Sequence, residues 1–314
     1  MQFIGGDEIH RLLDFPSLIE ALRVMFRDGC EVPERHHHKV AASAGGAPGT
    51  LLVMPAWQEG GVLGIKIVTV FPDNPRRSLP AVYGTYLLLD AATGEPRALL
   101  DGTALTLRRT AAASALAAQY LARPESTVHL MVGTGALAPY LVAAHATVRP
   151  IREVRVWGRD PTKAAALAAR LAETGTVAVP CADLAAAVAA ADIITCATLA
   201  TEPLISGAWL HPGVHLDLVG GFTPDMRETD DAAIARARVY VDTDAALDEA
   251  GDIVQPLRSG HLARERIVGD LAGLVRGTCP GRREPTEITL FKSVGTALED
   301  LAAAQLAVSR IGTQ

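Results

Sequence analysis

The sequence predicts an α/β protein, a doubly wound parallel sheet joined to a second domain of mixed α+β character. Between about residues 128 and 241, short apolar runs alternate with Ala-rich stretches of helical length. This is the rhythm of βαβ units whose helices cover both faces of a sheet. One strand-to-helix junction carries a Gly-x-Gly turn. Aromatic residues are only 4% of a chain that is 49% hydrophobic, which favours small-residue helices packed on a sheet over an aromatic-rich sandwich.

In the first part of the chain, residues 51–54, 62–70 and 82–89 read as strands. Turns fall at Gly60-Gly61 and around Pro72-Asp73-Asn74-Pro75, and Gly94-Glu95-Pro96 leads into Ala98-Leu99-Leu100. Hairpin-like spacing of this kind predicts a mixed or antiparallel sheet. A helix from Thr106 to about Ala122 precedes the strand Val128–Val132, and a second helix covers Ala136–Val148. Val154–Trp157 is the next strand, and Pro161 opens a helix to about Leu171, proline being suited to a first helical position. Val177–Val179, a helix around Leu184–Val188, Ile193–Cys196, Val214–Val219 and Val239–Val241 continue the alternation. After Glu287–Leu290, a helix from Gly295 to about Val308 returns to the first domain. The expected domains are 1–115 plus 291–314, and 116–290.

The 314 residues carry a net charge of −6, which leaves no basic excess for a phosphate backbone and makes nucleic acid an unsuitable partner. The N-terminus has no signal-peptide pattern and no apolar run reaches spanning length, so a cytoplasmic protein without membrane attachment is expected. Cys30, Cys181, Cys196 and Cys279 are scattered and form no CxxC pair. They read as reduced, mostly buried thiols.

Gly133-Thr134-Gly135-Ala136-Leu137-Ala138 fits G-x-G-x-x-G/A after a strand and at the opening of a helix. Gly133 permits the tight turn, Gly135 admits a pyrophosphate, and Ala138 keeps helix and strand close, while the helix N-terminus supplies N–H groups. The domain is therefore expected to be a Rossmann-type dinucleotide site. At the end of the second strand the sequence reads Trp157-Gly158-Arg159-Asp160, where NAD enzymes usually place an acid for the ribose hydroxyls. Arg159, with Lys163 one turn on, favours NADP(H); Asp160 keeps NAD(H) admissible.

Outside this core, Gly64-Ile65-Lys66-Ile67-Val68 sets a lysine in an apolar strand, where it needs a partner, a role, or an edge from which to reach water. Thr106-Leu107-Arg108-Arg109-Thr110 puts two arginines at the start of a helix, against its dipole, a placement better suited to carboxylate recognition than to helix stability. Phe291-Lys292-Ser293-Val294-Gly295 joins the last strand to the last helix.

These segments, with Leu52-Val53-Met54-Pro55, Leu79-Pro80-Ala81-Val82-Tyr83-Gly84, Thr110-Ala111-Ala112 and Ala250-Gly251-Asp252-Ile253, resemble the ornithine cyclodeaminase/mu-crystallin family in order and spacing along the whole chain. The resemblance implies a homodimer whose first domain, completed by the C-terminal helix, carries substrate and dimer contacts. It implies that Lys66 is the active-site lysine and Arg109 the carboxylate-binding arginine, with Arg35 a second substrate-binding arginine. The expected cofactor set is Gly133, Thr134, Gly135, Ala136, Leu137, Gly158, Arg159, Asp160, Lys163, Thr198, Val219, Gly220 and Ser293, together with Arg109.

The chain departs from the deaminating members at Phe222, where they carry an aspartate. A phenyl ring neither takes nor gives a proton, so Phe222 is expected to wall the substrate pocket; the resemblance implies that the family's ketimine reductases tolerate a non-acidic residue there. The expected reaction is NAD(P)H-dependent reduction of Δ1-pyrroline-2-carboxylate or Δ1-piperideine-2-carboxylate to L-proline or L-pipecolate. The alternatives are an ornithine cyclodeaminase or hydroxyproline dehydratase on the same scaffold, or a non-catalytic ligand-binding protein like mu-crystallin. His36-His37-His38 is expected to be a polar loop without a metal, since neighbouring residues diverge. Asp225, Arg227 and Glu228 are expected in a solvated loop, with a helix starting near Asp230.

Overall fold

The computed structural model describes residues 1–41 and 46–311. In chain order its elements begin with β1 (Gln2–Ile4), α1 (Gly6–Leu12), α2 (Phe15–Asp28), β2 (His36–Val40), β3 (Gly49–Trp57), β4 (Val62–Val70), β5 (Val82–Asp90), β6 (Pro96–Asp101) and α3 (Gly102–Leu121). They continue with β7 (Val128–Val132), α4 (Ala138–Val148), β8 (Glu153–Trp157), α5 (Pro161–Glu173), β9 (Ala178–Pro180), α6 (Leu184–Ala189), β10 (Ile193–Cys196) and β11 (His215–Leu218). The last are α7 (Asp231–Arg236), β12 (Arg238–Val241), α8 (Ala246–Glu249), α9 (Gly251–Ser259), β13 (Ile267–Asp270), α10 (Leu271–Arg276), β14 (Thr289–Lys292) and α11 (Ala297–Ser309).

The chain forms two compact units, Met1–Thr110 with Thr296–Gln314, and Ala111–Gly295. The expected limits at 115 and 291 are displaced by about a helical turn for a topological reason. Phe291 and Lys292 lie on β14, which pairs with both β11 and β12 inside the parallel sheet, and Ser114 bonds to Asp217 on β11.

In the first unit, six strands run in the order β1-β6-β5-β4-β3-β2. β2 to β6 are antiparallel and β1 joins β6 in parallel. Side chains alternate across a strand, so Met54, Lys66, Tyr86 and Leu100, which are paired across β3 to β6, share one buried face. α11 packs on this sheet and on α2. α2 starts because Asp14 accepts a hydrogen bond from the Ser17 N–H, and it buries Leu18, Ile19, Leu22, Met25 and Phe26 along one stripe. Each such side chain is worth about 1.5–3 kcal/mol.

Eight parallel strands make the sheet of the second unit, in the order β13-β12-β14-β11-β10-β7-β8-β9. Its core includes Leu130, Val132, Ile194, Leu216, Leu218 and Leu290. Asp160, Asp183, Asp230 and Asp270 each cap the helix that follows by accepting a backbone N–H, a contact worth about 1 kcal/mol apiece. The chain leaves β7 for β8 on one side and reaches β10 on the other. The ends of β7 and β10 therefore form the switch point where such sheets bind ligands.

Four expectations need correction. α3 begins at Gly102, so Arg108 and Arg109 stand nearly two turns inside it, beyond the reach of the terminal dipole. His36, His37 and His38 lie on β2, an exposed edge strand and not a loop. Of the four cysteines, all unbridged, only Cys196 is buried. Glu228 is fully buried, and the solvated-loop description holds only for exposed Asp225; Arg227 is held by Asp231 and the Thr229 carbonyl. No helix among the described residues is long and apolar enough to cross a membrane.

Candidate active site

A cleft of about 570 Å³ opens at the switch point of the second unit. Its lining brings together Gly133, Thr134, Gly135, Ala136 and Leu137 with Gly158, Arg159, Asp160 and Lys163, and with Thr198, Val219, Gly220 and Phe222. Gly133 has φ +122°, and a Cβ there would lie 2.5 Å from the Ala197 carbonyl oxygen. An added Cβ at Gly135 would meet nothing within 4 Å. α4 has no side-chain cap, and among the described residues the N–H groups of Thr134 to Leu137 have no protein acceptor. A crowded first glycine, open space over the second, and uncapped N–H groups fit a pyrophosphate.

One end of this cleft is cationic. Arg159 and Lys163 are exposed and, among the described residues, form no ion pair, whereas Asp160 is occupied in accepting from Thr162 N at 3.0 Å. At the opposite end, Ala197, Thr198, Leu199, Ala200, Leu204, Val219, Gly220 and Phe222 present no ionisable side chain. Phe222 is 48% exposed, so its ring faces open cleft and is not core. Ser293 follows β14 and is buried without joining this lining.

Arg109 and Lys66 belong to the first unit and form a second constellation. The Lys66 ammonium lies 2.5 Å from Asp300 Oδ2. Arg109 donates from Nε to Asp300 Oδ1 at 2.9 Å and from Nη1 to Glu299 Oε2 at 2.6 Å. All four groups are buried. Burial and the neighbouring Arg109 charge bring the Lys66 ammonium down to about 8, against the pull of Asp300. Burial opposes the Arg109 charge too, but Asp300 and Glu299 more than offset it and hold the guanidinium charged. Because β4 is interior, Lys66 has no route to water along an edge; Asp300 is its partner.

Consecutive helical residues diverge by about 100°, which separates the two arginines. Arg108 stacks 4.7 Å from the Phe15 ring centre and donates to the His10 carbonyl, while Arg109 takes the acids of α11. Arg35 is half-buried and directly precedes β2, whose His36 pairs with Val53. The sequence reading missed Glu299 and Asp300. Two adjacent acids in an otherwise Ala/Leu-rich helix were the available signal.

Fold and site together define a dinucleotide-binding α/β protein with a separate, buried lysine–arginine–carboxylate constellation. The chain belongs to the ornithine cyclodeaminase/mu-crystallin family, whose model matches residues 8–313. It is 41% identical over 318 residues to a Δ1-pyrroline-2-carboxylate reductase of Colwellia psychrerythraea, covering 99% of both chains. The structure of Thermococcus litoralis Δ1-pyrroline-2-carboxylate reductase in complex with NADH and L-proline aligns with a TM-score of 0.92 at 33% identity, covering 99% of this chain and 97% of that one. An archaeal alanine dehydrogenase dimer with bound NAD aligns with a TM-score of 0.90 at 26% identity, covering 98% and 95%.

Proposed function

We propose that the protein reduces a cyclic imino acid, Δ1-pyrroline-2-carboxylate or Δ1-piperideine-2-carboxylate, to L-proline or L-pipecolate. The observation that carries this is the non-ionisable end of the cofactor cleft. Where deamination needs a group to handle an amine, the lining offers Phe222 and backbone. The relatives named as Δ1-pyrroline-2-carboxylate reductases support the same reading.

When bound, the reduced nicotinamide supplies the hydride for the imine carbon. The residues of the cleft orient it: the glycine turn holds the pyrophosphate, and Arg159 with Lys163 binds a 2′-phosphate, which makes NADPH the preferred donor. Lys66 and Arg109 supply the substrate groups. Their charges are balanced by Glu299 and Asp300, and a balanced constellation suits a net-neutral ligand such as an iminium carboxylate. Arg109 gives Nε and Nη1 to the acids, leaving Nη2 for the carboxylate, assisted by Arg35. Lys66, with an ammonium near 8, is poised to hold or release a proton at the substrate nitrogen at neutral pH. Homodimerisation through the outer face of the first-unit sheet, where Ile67 and Tyr83 are exposed, and a cytoplasmic location complete the proposal.

The test is a cofactor-oxidation screen with pyrroline-2-carboxylate, piperideine-2-carboxylate, and pyruvate plus ammonia. Turnover is expected with a cyclic imine. Efficient ammonia release from L-ornithine with NAD, and no imine reduction, would replace the reductase with a lyase.

A further inference from the structure

Beneath the non-ionisable end of the cleft lies a cluster of charges that the proposed reaction does not use. Glu228, Asp252 and Lys292 are all fully buried. Glu228 Oε1 accepts from both the backbone N–H and the hydroxyl of Thr198, each at 2.8 Å. Asp252 Oδ1 accepts from Glu228 N and Thr229 N at 2.9 Å and from the Thr229 hydroxyl at 3.1 Å. Lys292 donates to the Gly220 carbonyl, and its ammonium lies 3.8 Å from Asp252 Oδ2. Thr198 and Gly220 both line the cleft. The acids press directly against the loop: a Cβ on Gly220 would lie 2.4 Å from Glu228 Oε1, and one on Gly221 2.5 Å from Asp252 Oδ2.

Two carboxylates against one ammonium leave this buried cluster with one net negative charge when both acids are ionised. Glu228 Oε2 has no hydrogen-bond partner among the described residues. A proton on Oε2 neutralises the cluster while Oε1 goes on accepting from Thr198, so the geometry tolerates both states. The oxidised nicotinamide ring carries a positive charge and the reduced ring does not. With pyrophosphate at the glycine turn and adenosine toward β8, the other half of a dinucleotide runs over the ends of β10 and β11, above Thr198 and Gly220.

We propose that Glu228, seated between Thr198 and the Lys292–Asp252 pair, is a proton-exchanging positioning residue that makes the preference between oxidised and reduced nicotinamide depend on pH. Ionised Glu228 favours the cationic oxidised ring, and protonated Glu228 removes that advantage. The inference rests on the reading of the cleft as a nicotinamide-dinucleotide site. The groups facing Glu228 are Lys292 from β14, Asp252 from α9, and Cys196 from β10; Asp217 and Asp242 also act on Lys292. Burial, the largest influence, together with Asp252 and against Lys292, pushes the Glu228 carboxyl up to about 7. Its titration therefore falls in the physiological range.

Calorimetric titration of the unmutated protein with NAD+ and with NADH, between about pH 6 and 8 and in buffers of different ionisation enthalpy, tests this without a variant. NAD+ binding is expected to release more protons than NADH binding. The NAD+ to NADH affinity ratio is expected to rise with pH by on the order of threefold or more. Glu228→Gln should still bind both forms and lose the pH dependence. Equal proton release for the two forms, or an unchanged pH dependence in a folded Glu228→Gln protein, overturns the inference and leaves the cleft reading intact. No binding of either form, nor of NADP+ or NADPH, overturns both.

Discussion

Replacing Asp300 with asparagine removes one charge from the Lys66–Arg109–Glu299–Asp300 constellation with little change in shape. In the unmutated protein two buried cations face two buried acids. If both cations stay charged in Asp300→Asn, one buried positive charge is uncompensated, at a cost of about 3–5 kcal/mol. A cheaper escape is available. The Lys66 ammonium already sits near 8, so shedding its proton at pH 7 costs only about 1.4 kcal/mol. Lys66 should therefore be neutral in the variant, and the destabilisation should depend on pH. The native unmutated protein binds about one more proton than the native variant at about pH 6 to 7, and about half a proton more at about pH 8. The stability difference should shrink by about 1.4 kcal/mol per pH unit near pH 6 to 7 and level off above about pH 8. At about pH 9, where Lys66 is largely neutral in both proteins, there remains roughly 1–2 kcal/mol for the weakened contact with Arg109. The sign agrees with the unmutated protein: the Lys66 ammonium is depressed from 10.5 to about 8, so this group's contribution to stability rises with pH through that interval. Urea unfolding of both proteins at about pH 6, 7, 8 and 9 measures the difference directly. A pH-independent difference, or one that grows toward pH 9, would show that Asp300 does not hold the Lys66 charge.

Arg159→Ala should raise KM for NADPH by about tenfold or more, the worth of a charge-assisted contact of roughly 1.5–3 kcal/mol, and leave NADH nearly unaffected. Equal NADH and NADPH efficiency in the unmutated enzyme would defeat the 2′-phosphate assignment. Gly133→Ala forces a side chain into φ +122° and to 2.5 Å from the Ala197 carbonyl oxygen; a loss of about 1–3 kcal/mol and weaker cofactor binding are expected, read by thermal melting with and without NADH. Because Phe222 is 48% exposed, Phe222→Asp should cost only about 1 kcal/mol of stability, while imine reduction falls and any amine-dependent reaction rises from a low base. Imine kinetics unchanged by Phe222→Asp would remove this residue from the substrate pocket.

The features legible in the amino-acid sequence were those written in local pattern. The βα rhythm from Val128 onward, the Gly133–Ala138 turn and the helix opening at Pro161 depend on residues adjacent along the chain, and periodicity and glycine chemistry report them. The order and spacing of the motifs also carried the family. Which charges meet lies beyond local pattern. Asp300 is 234 positions from Lys66, and only the packing of α11 on β4 brings the two together. Arg108 and Arg109 look equivalent as neighbours, and the turn of α3 gives one to Phe15 and His10 and the other to Glu299 and Asp300. Glu228 looks like an ordinary polar loop residue until the ends of β10, β11 and β14 close around it. Burial is a property of the surrounding elements, and it decides whether a carboxylate is a solvated ornament or one that titrates near neutral pH.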